Sequence, residues 1–160
     1  MNSKTIAESR STITTLMLPE HANPAGNVHG GEIMKIMDHC AGITTVRHCR
    51  KNTVTARVDQ LEFHLPIHIG NLVTCTGELT FVGRSSMEVA VTLFVEDIQK
   101  DDNPRVALTA YFTMVALDEK GRPAVVPQLR IETPEEQALF DEATIRYAHY
   151  KEKQKKTVNS

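Results

Sequence analysis

Gly30-Gly31-Glu-Ile33-Met34-Lys-Ile36-Met37-Asp38-His39-Cys40-Ala41-Gly-Ile-Thr44-Thr-Val46 is the stretch on which the fold turns. Its apolar residues recur at steps of three and four, which predicts one helix of about five turns. They also cover much of the helix circumference. A helix with so little polar face is buried on more than one side, wrapped by a sheet or pressed against a partner.

Upstream, His21 to Gly31 carries Pro24, Gly26, Gly30 and Gly31 and reads as a loop. Before it, Thr12 to Leu18 is Thr-, Ile- and Leu-rich and is stopped by Pro19, as a short strand would be. Downstream, three runs alternate cleanly: Val73 to Phe81, Met87 to Val95 and Val106 to Met114. Each has one buried face and predicts a strand of a mostly antiparallel sheet. Gly83 to Ser85 forms the tight turn between the first two, and Lys100 to Pro104 the next connection. An earlier strand, Val54 to Phe63, changes parity between Val58 and Leu61, so a bulge is expected near Asp59 and Gln60. Thr133-Pro134-Glu135-Glu136 follows the turn at Glu119 to Pro123 and has the cap, proline and carboxylate of a helix start. That helix is expected to run to about Lys155, its lysine-rich end being a solvated face. One sheet wrapped around one helix, an α+β arrangement with an added C-terminal helix, accounts for this order.

The 160 residues, 41% hydrophobic, suit a single domain spanning 1–160 with one core. A net charge of -2 leaves no chain-wide field for nucleic acid. Met1 to Thr15 contains no signal-peptide core and no run of about 18 apolar residues follows, so a soluble cytoplasmic protein without membrane association is expected. Cys40, Cys49 and Cys75 are odd in number, widely spaced and without a CxxC pair, as reduced core thiols would be.

Asn23-Pro-Ala-Gly-Asn-Val-His29-Gly30-Gly31, running into Asp38, is where chemistry concentrates. First-turn N–H groups at Gly30 and Gly31 sit at the positive end of the helix dipole and can hold an oxyanion. The plainer reading is a helix start that needs flexible backbone. Asp38 lies among apolar residues, where an unpaired carboxylate is costly, and burial would make it a useful base. Pairing with Arg47 or Arg57 is the structural alternative. Gly31 and Asp38 share a helix face about 10 Å apart. They serve one carbonyl only if Asp38 meets Gly31 and Asn23 of a second copy across a twofold axis. Asn23 can bond a carbonyl or a water, or can be an Asx-turn residue before Pro24. His29 beside the glycines is a base or a structural residue. The other histidines form no ligand set, and no metal site is expected.

With Gly83-Arg84-Ser85-Ser86-Met87, the segment from Asn23 to Asp38 resembles the acyl-CoA thioesterases of the hotdog superfamily, nearest to the cytosolic acyl-CoA hydrolase branch. The similarity covers about residues 12–126. It implies a five-stranded antiparallel sheet around the central helix, and dimers assembled as trimers of dimers, a homohexamer. It further implies hydrolysis of acyl-CoA without a cofactor by a catalytic pair, Asn23 and Asp38 from opposing subunits, with Asp38 as base or nucleophile. Gly30 and Gly31 with His29 then polarise the carbonyl. Arg84, Ser85 and Ser86 line the pantetheine or phosphate end of CoA, for which guanidinium and hydroxyl groups are suited; otherwise they are an ordinary hairpin turn. Two other functions fit less well. A hotdog dehydratase would carry a His-Phe-Pro start and a helix glutamate, and a non-catalytic acyl-CoA-binding protein would bind without releasing thiol.

Overall fold

The computed structural model describes residues 2–160. In chain order it contains β1 (Lys4–Thr5), α1 (Ile6–Ser9), β2 (Ser11–Leu16), a 3-10 turn (Pro19–His21), α2 (Gly30–Cys49), β3 (Asn52–Phe63), β4 (Leu72–Val82), β5 (Ser86–Glu96), β6 (Arg105–Leu117), β7 (Leu129–Arg130) and α3 (Pro134–Val158). The five longer strands form one antiparallel sheet in the order β2-β4-β5-β6-β3. Alternation on β4, β5 and β6 buries Val73, Cys75, Leu79, Met87, Val89, Val91, Leu93, Leu108, Phe112 and Met114. The helix expected to be enclosed, α2, packs against all five strands and contributes Ile33, Met37, Cys40 and Ala41 to the same cluster. Helix and sheet approach so closely at Gly77 that a Cβ there would lie 2.6 Å from Thr44 Oγ1.

Local chemistry sets the helix limits. At the start of α2 the His29 side chain accepts from the Gly31 N–H, and at its end Arg50 takes a left-handed conformation, φ 55°. Lys4 Nζ donates to the His48 carbonyl at 2.7 Å and to that of Arg47 at 3.1 Å, placing a cation on the carbonyl end of the helix. α3 begins as expected: Thr133 Oγ1 accepts from Glu136 N at 3.1 Å, with Pro134 in the first turn. The short parallel pair β1 and β7, and α1, were not legible, because two-residue strands and a one-turn helix carry no periodicity.

Two departures from the expected pattern shape the region around α2. β3 has its expected irregularity between Asp59 and Glu62, with Gln60 at φ 50°, but also a second one between Thr55 and Arg57. Residues two apart normally share a face. The extra residue, Ala56, lets Thr55 bond into α2 while Arg57 pairs with Asp59 at 2.6 Å and stacks on Tyr150 of α3. Secondly, α2 is enclosed on one side only. Ile43 and Val46 on its open side are 42% and 41% exposed.

α3 lies over the outer face of the sheet. Phe81 packs against Phe140 and Tyr147, with ring centroids 5.5 and 4.7 Å apart. Beside them Arg146 joins the buried Glu88 and stacks over Tyr111. Cys40, Cys49 and Cys75 are buried free thiols, as expected. No helix among the described residues is long and apolar enough to cross a membrane.

Candidate active site

The loop before α2 is folded by Asn23. Its Oδ1 accepts from Ala25 N and Asn27 N at 3.0 and 3.1 Å, and its backbone N–H donates to the Asn27 carbonyl at 2.7 Å. Gly26, at φ 84°, closes the turn. The Asx-turn role therefore uses the carboxamide oxygen. The Nδ2 amide has no acceptor among the described residues and remains free to donate to a substrate oxygen.

At the helix start one expectation changes. The Gly31 N–H, assigned to the oxyanion, is bonded to His29 Nδ1 at 2.9 Å. Glu32 and Ile33 N–H groups bond the His29 carbonyl. Gly30 N–H has no acceptor among the described residues, so of the two expected donors Gly30 is the open one. A ring nitrogen that accepts carries no proton, so neutral His29 holds its proton on Nε2 and caps the helix.

Asp38 lies on the open side of α2 and is exposed, not buried as expected. The reason is the one-sided enclosure of α2: Asp38 lies at the edge of the face covered by the chain's own sheet, where Thr55 reaches it without burying it. Neither arginine considered as its partner pairs with it, since Arg47 donates to the Arg10 carbonyl and Arg57 pairs with Asp59. Thr55 Oγ1 donates to Asp38 Oδ1 at 2.5 Å, and Oδ2 has no partner among the described residues. This carboxylate stands at a groove of about 820 Å³ walled by Ile13, Ile43, Val46, Val54 and Met114, with Arg47 and Arg50 also on its lining. Thr55 escaped sequence reading because a threonine in a strand is an ordinary β-former. Only the bulge at Ala56 and the position of α2 give it a partner.

The turn at Arg84 to Ser86 is a tight hairpin: Gly83 N donates to the Ser86 carbonyl at 2.8 Å. Ala116 N and Val126 N donate to the Ser85 and Arg84 carbonyls at 2.9 and 3.0 Å, tying the turn down while the Arg84 side chain stays exposed. Ser86 is opposite Val115, and Val115 is opposite Val54, so this turn shares the Thr55 end of the sheet. One chain thus gathers Asp38, Thr55 and Arg84 to Ser86 in one half, while Gly31 sits about 10 Å away along α2, at the helix end that the Asn23 loop leads into. Among the described residues no group of three or more His, Cys, Asp or Glu side chains is placed to hold a metal ion.

Comparison with known proteins adds the family. The thioesterase superfamily model matches residues 25–101. The uncharacterized acyl-CoA thioester hydrolase YkhA of Bacillus subtilis is 37% identical over 139 residues, 87% of this chain and 80% of that one. This chain belongs to the thioesterase superfamily. Its sheet wrapped on α2 is the hotdog fold of the family. The cytosolic acyl coenzyme A thioester hydrolase of Rattus norvegicus is 40% identical over 93% of this chain, which spans only 39% of that relative's length. Among solved structures, an apo-hexameric acyl-CoA thioesterase superposes with a TM-score of 0.89 at 31% identity, covering 96% of this chain and 98% of that one. The acyl-CoA hydrolase of Staphylococcus aureus, in complex with butyryl coenzyme A and coenzyme A, gives 0.87 at 29% identity, covering 98% and 95%. Structures of that hydrolase exist with an asparagine, an aspartate or a threonine replaced by alanine, at positions fifteen and then seventeen residues apart.

Proposed function

We propose that this member of the thioesterase superfamily hydrolyses acyl-CoA, in the cytoplasm, at sites built from two copies of the chain. The observation that carries the reading is the hydrogen bond from Thr55 to Asp38 on the uncovered side of α2. It holds one carboxylate oxygen and leaves the other free at the mouth of an apolar groove. Asn23, Asp38 and Thr55 also repeat the fifteen- and seventeen-residue spacing of the three residues replaced in the Staphylococcus aureus hydrolase.

The thioester carbonyl oxygen takes the Gly30 N–H and the Asn23 amide of one copy. Those donors strengthen as negative charge develops on that oxygen. Asp38 of the other copy, held by Thr55, accepts a proton from water as the water attacks the carbonyl carbon. Collapse of the tetrahedral intermediate breaks the C–S bond. CoA leaves as a thiolate that regains the proton, and the carboxylic acid remains. The chain's own residues suffice for each step, with no cofactor. Arg84, Ser85 and Ser86 receive the phosphate and amide groups of CoA. A twofold dimer is the smallest active unit, and the exposed strip of α2 supports it. The hexameric relative favours a trimer of such dimers.

The test measures free thiol from acetyl- to palmitoyl-CoA for the native chain, for Asn23→Ala, for Asp38→Asn, and for an equimolar mixture of the two variants. Loss in each variant with partial recovery in the mixture supports the shared site. Stoichiometric binding without thiol release from any substrate would show a binding protein instead.

A further inference from the structure

The geometry points to the apolar pocket beside the start of α2 as the seat of the acyl chain, with Phe63 selecting chain length; this rests on the thioesterase reading. Five apolar residues in the sequence are either ordinary core residues or the lining of an acyl tunnel: Met34, Met37, Leu61, Phe63 and Met87. Met37 and Met87 are fully buried in the core, and Met34 and Leu61 pack against it. Phe63 alone of the five is left open, 63% exposed at the last residue of β3.

Phe63 lines a pocket of about 350 Å³ with Val28, Ile33, Leu65, Ile67 and Leu108. That volume lies at the small end of the range for ligand pockets. Gly30, whose N–H is the open donor of the helix start, is on the same lining. A carbonyl held at Gly30 has two directions available to its substituents. The one across the twofold leads to Asp38, Thr55 and the arginine and hydroxyls of the Arg84 turn, which suit CoA. The one within the same chain leads into this pocket, which has the apolar character of a hydrocarbon tail. The copy that polarises the carbonyl therefore also holds the acyl chain, and its partner handles water and CoA. A ring this exposed contributes little to the fold, and gains its contacts only when a chain lies against it.

The experiment compares kcat/KM on even-numbered acyl-CoAs from acetyl to lauroyl for the native chain, Phe63→Ala and Phe63→Leu. Each methylene buried raises kcat/KM by about three- to fourfold until the pocket is full. Phe63→Ala is expected to lower the ratio of octanoyl to acetyl kcat/KM roughly tenfold or more, and Phe63→Leu to restore most of that ratio. Equal losses at every length, or an unchanged length profile, would overturn the assignment and leave the thioesterase reading intact. A change in particle mass by light scattering in Phe63→Ala would also overturn it, since the pocket would then be a subunit contact. Calorimetric binding of non-hydrolysable acyl-CoA thioethers separates the two ideas. Length-dependent affinity that Phe63→Ala abolishes supports the pocket even if no thioester is turned over.

Discussion

Glu88 and Asp38 sit on opposite sides of one sheet. Glu88, on the outer face, is 6% exposed and saturated: Arg146 donates to it from Nε and Nη2, at distances down to 2.8 Å, and Thr80 Oγ1 donates at 2.7 Å. Tyr111 covers the guanidinium at 3.8 Å. Asp38, on the inner helix, has one donor, Thr55, and no cation. A carboxylate that serves the fold has its charge matched and its lone pairs filled. Asp38, for which we propose a role in chemistry, keeps an oxygen free beside open space. His48 stands between the two. It is fully buried, with Nε2 donating to the Pro127 carbonyl at 2.8 Å and Nδ1 without a partner among the described residues.

Replacement separates these roles. Asp38→Asn keeps the shape and removes the proposed base, so kcat on a short acyl-CoA should fall by about 10² to 10⁴ while thermal unfolding hardly changes. A large loss of stability instead would make Asp38 a second Glu88. Arg146→Ala should do the reverse. It leaves the Glu88 charge buried without its cation, at a cost of roughly 3–5 kcal/mol in denaturant unfolding, with turnover retained wherever the protein is folded. Thr55→Val removes the one bond to Asp38, worth roughly 1.5–3 kcal/mol for a charged acceptor. The expected result is kcat lowered about 10- to 100-fold with KM little changed, which stopped-flow or steady-state kinetics would show.

The smallest effect belongs to His48. Burial holds its imidazole below the usual histidine range, and the bond to Pro127 only partly opposes this. The unfolded chain therefore binds the proton more tightly than the native one. Stability is intact above about pH 6.5 and is lost as pH falls from there toward the lowered native value. Unfolding midpoints measured between pH 7.5 and 5 should show this slope, and His48→Leu should flatten it.

Much of the fold was legible from periodicity. The cleanly alternating runs became β4, β5 and β6, and the three-and-four pattern became α2, because side-chain period follows directly from backbone geometry. The bulge near Gln60 showed as a change of parity, but the one at Ala56 did not, since Val54, Ala56 and Val58 keep one parity through it. The site was legible as residue types in a pattern and not as contacts. Asn23 and Asp38 stood out, yet the Gly31 N–H proved occupied by His29, and Asp38 proved exposed. Hydrogen-bond partners depend on rotamers and on neighbours distant in sequence, which no spacing encodes.

By itself the sequence determined that a helix rich in apolar residues would lie in an antiparallel sheet. It also placed a lone carboxylate seven residues beyond a glycine start, a separation that one chain cannot fold away. Tertiary structure decided the rest. It brought Thr55 to Asp38 through a bulge, spent Arg57 on Asp59 and Tyr150, and left one side of α2 uncovered. The physical reason is that local periodicity reports which face a residue occupies, whereas the partner it meets there is fixed only by packing of elements far apart in the chain.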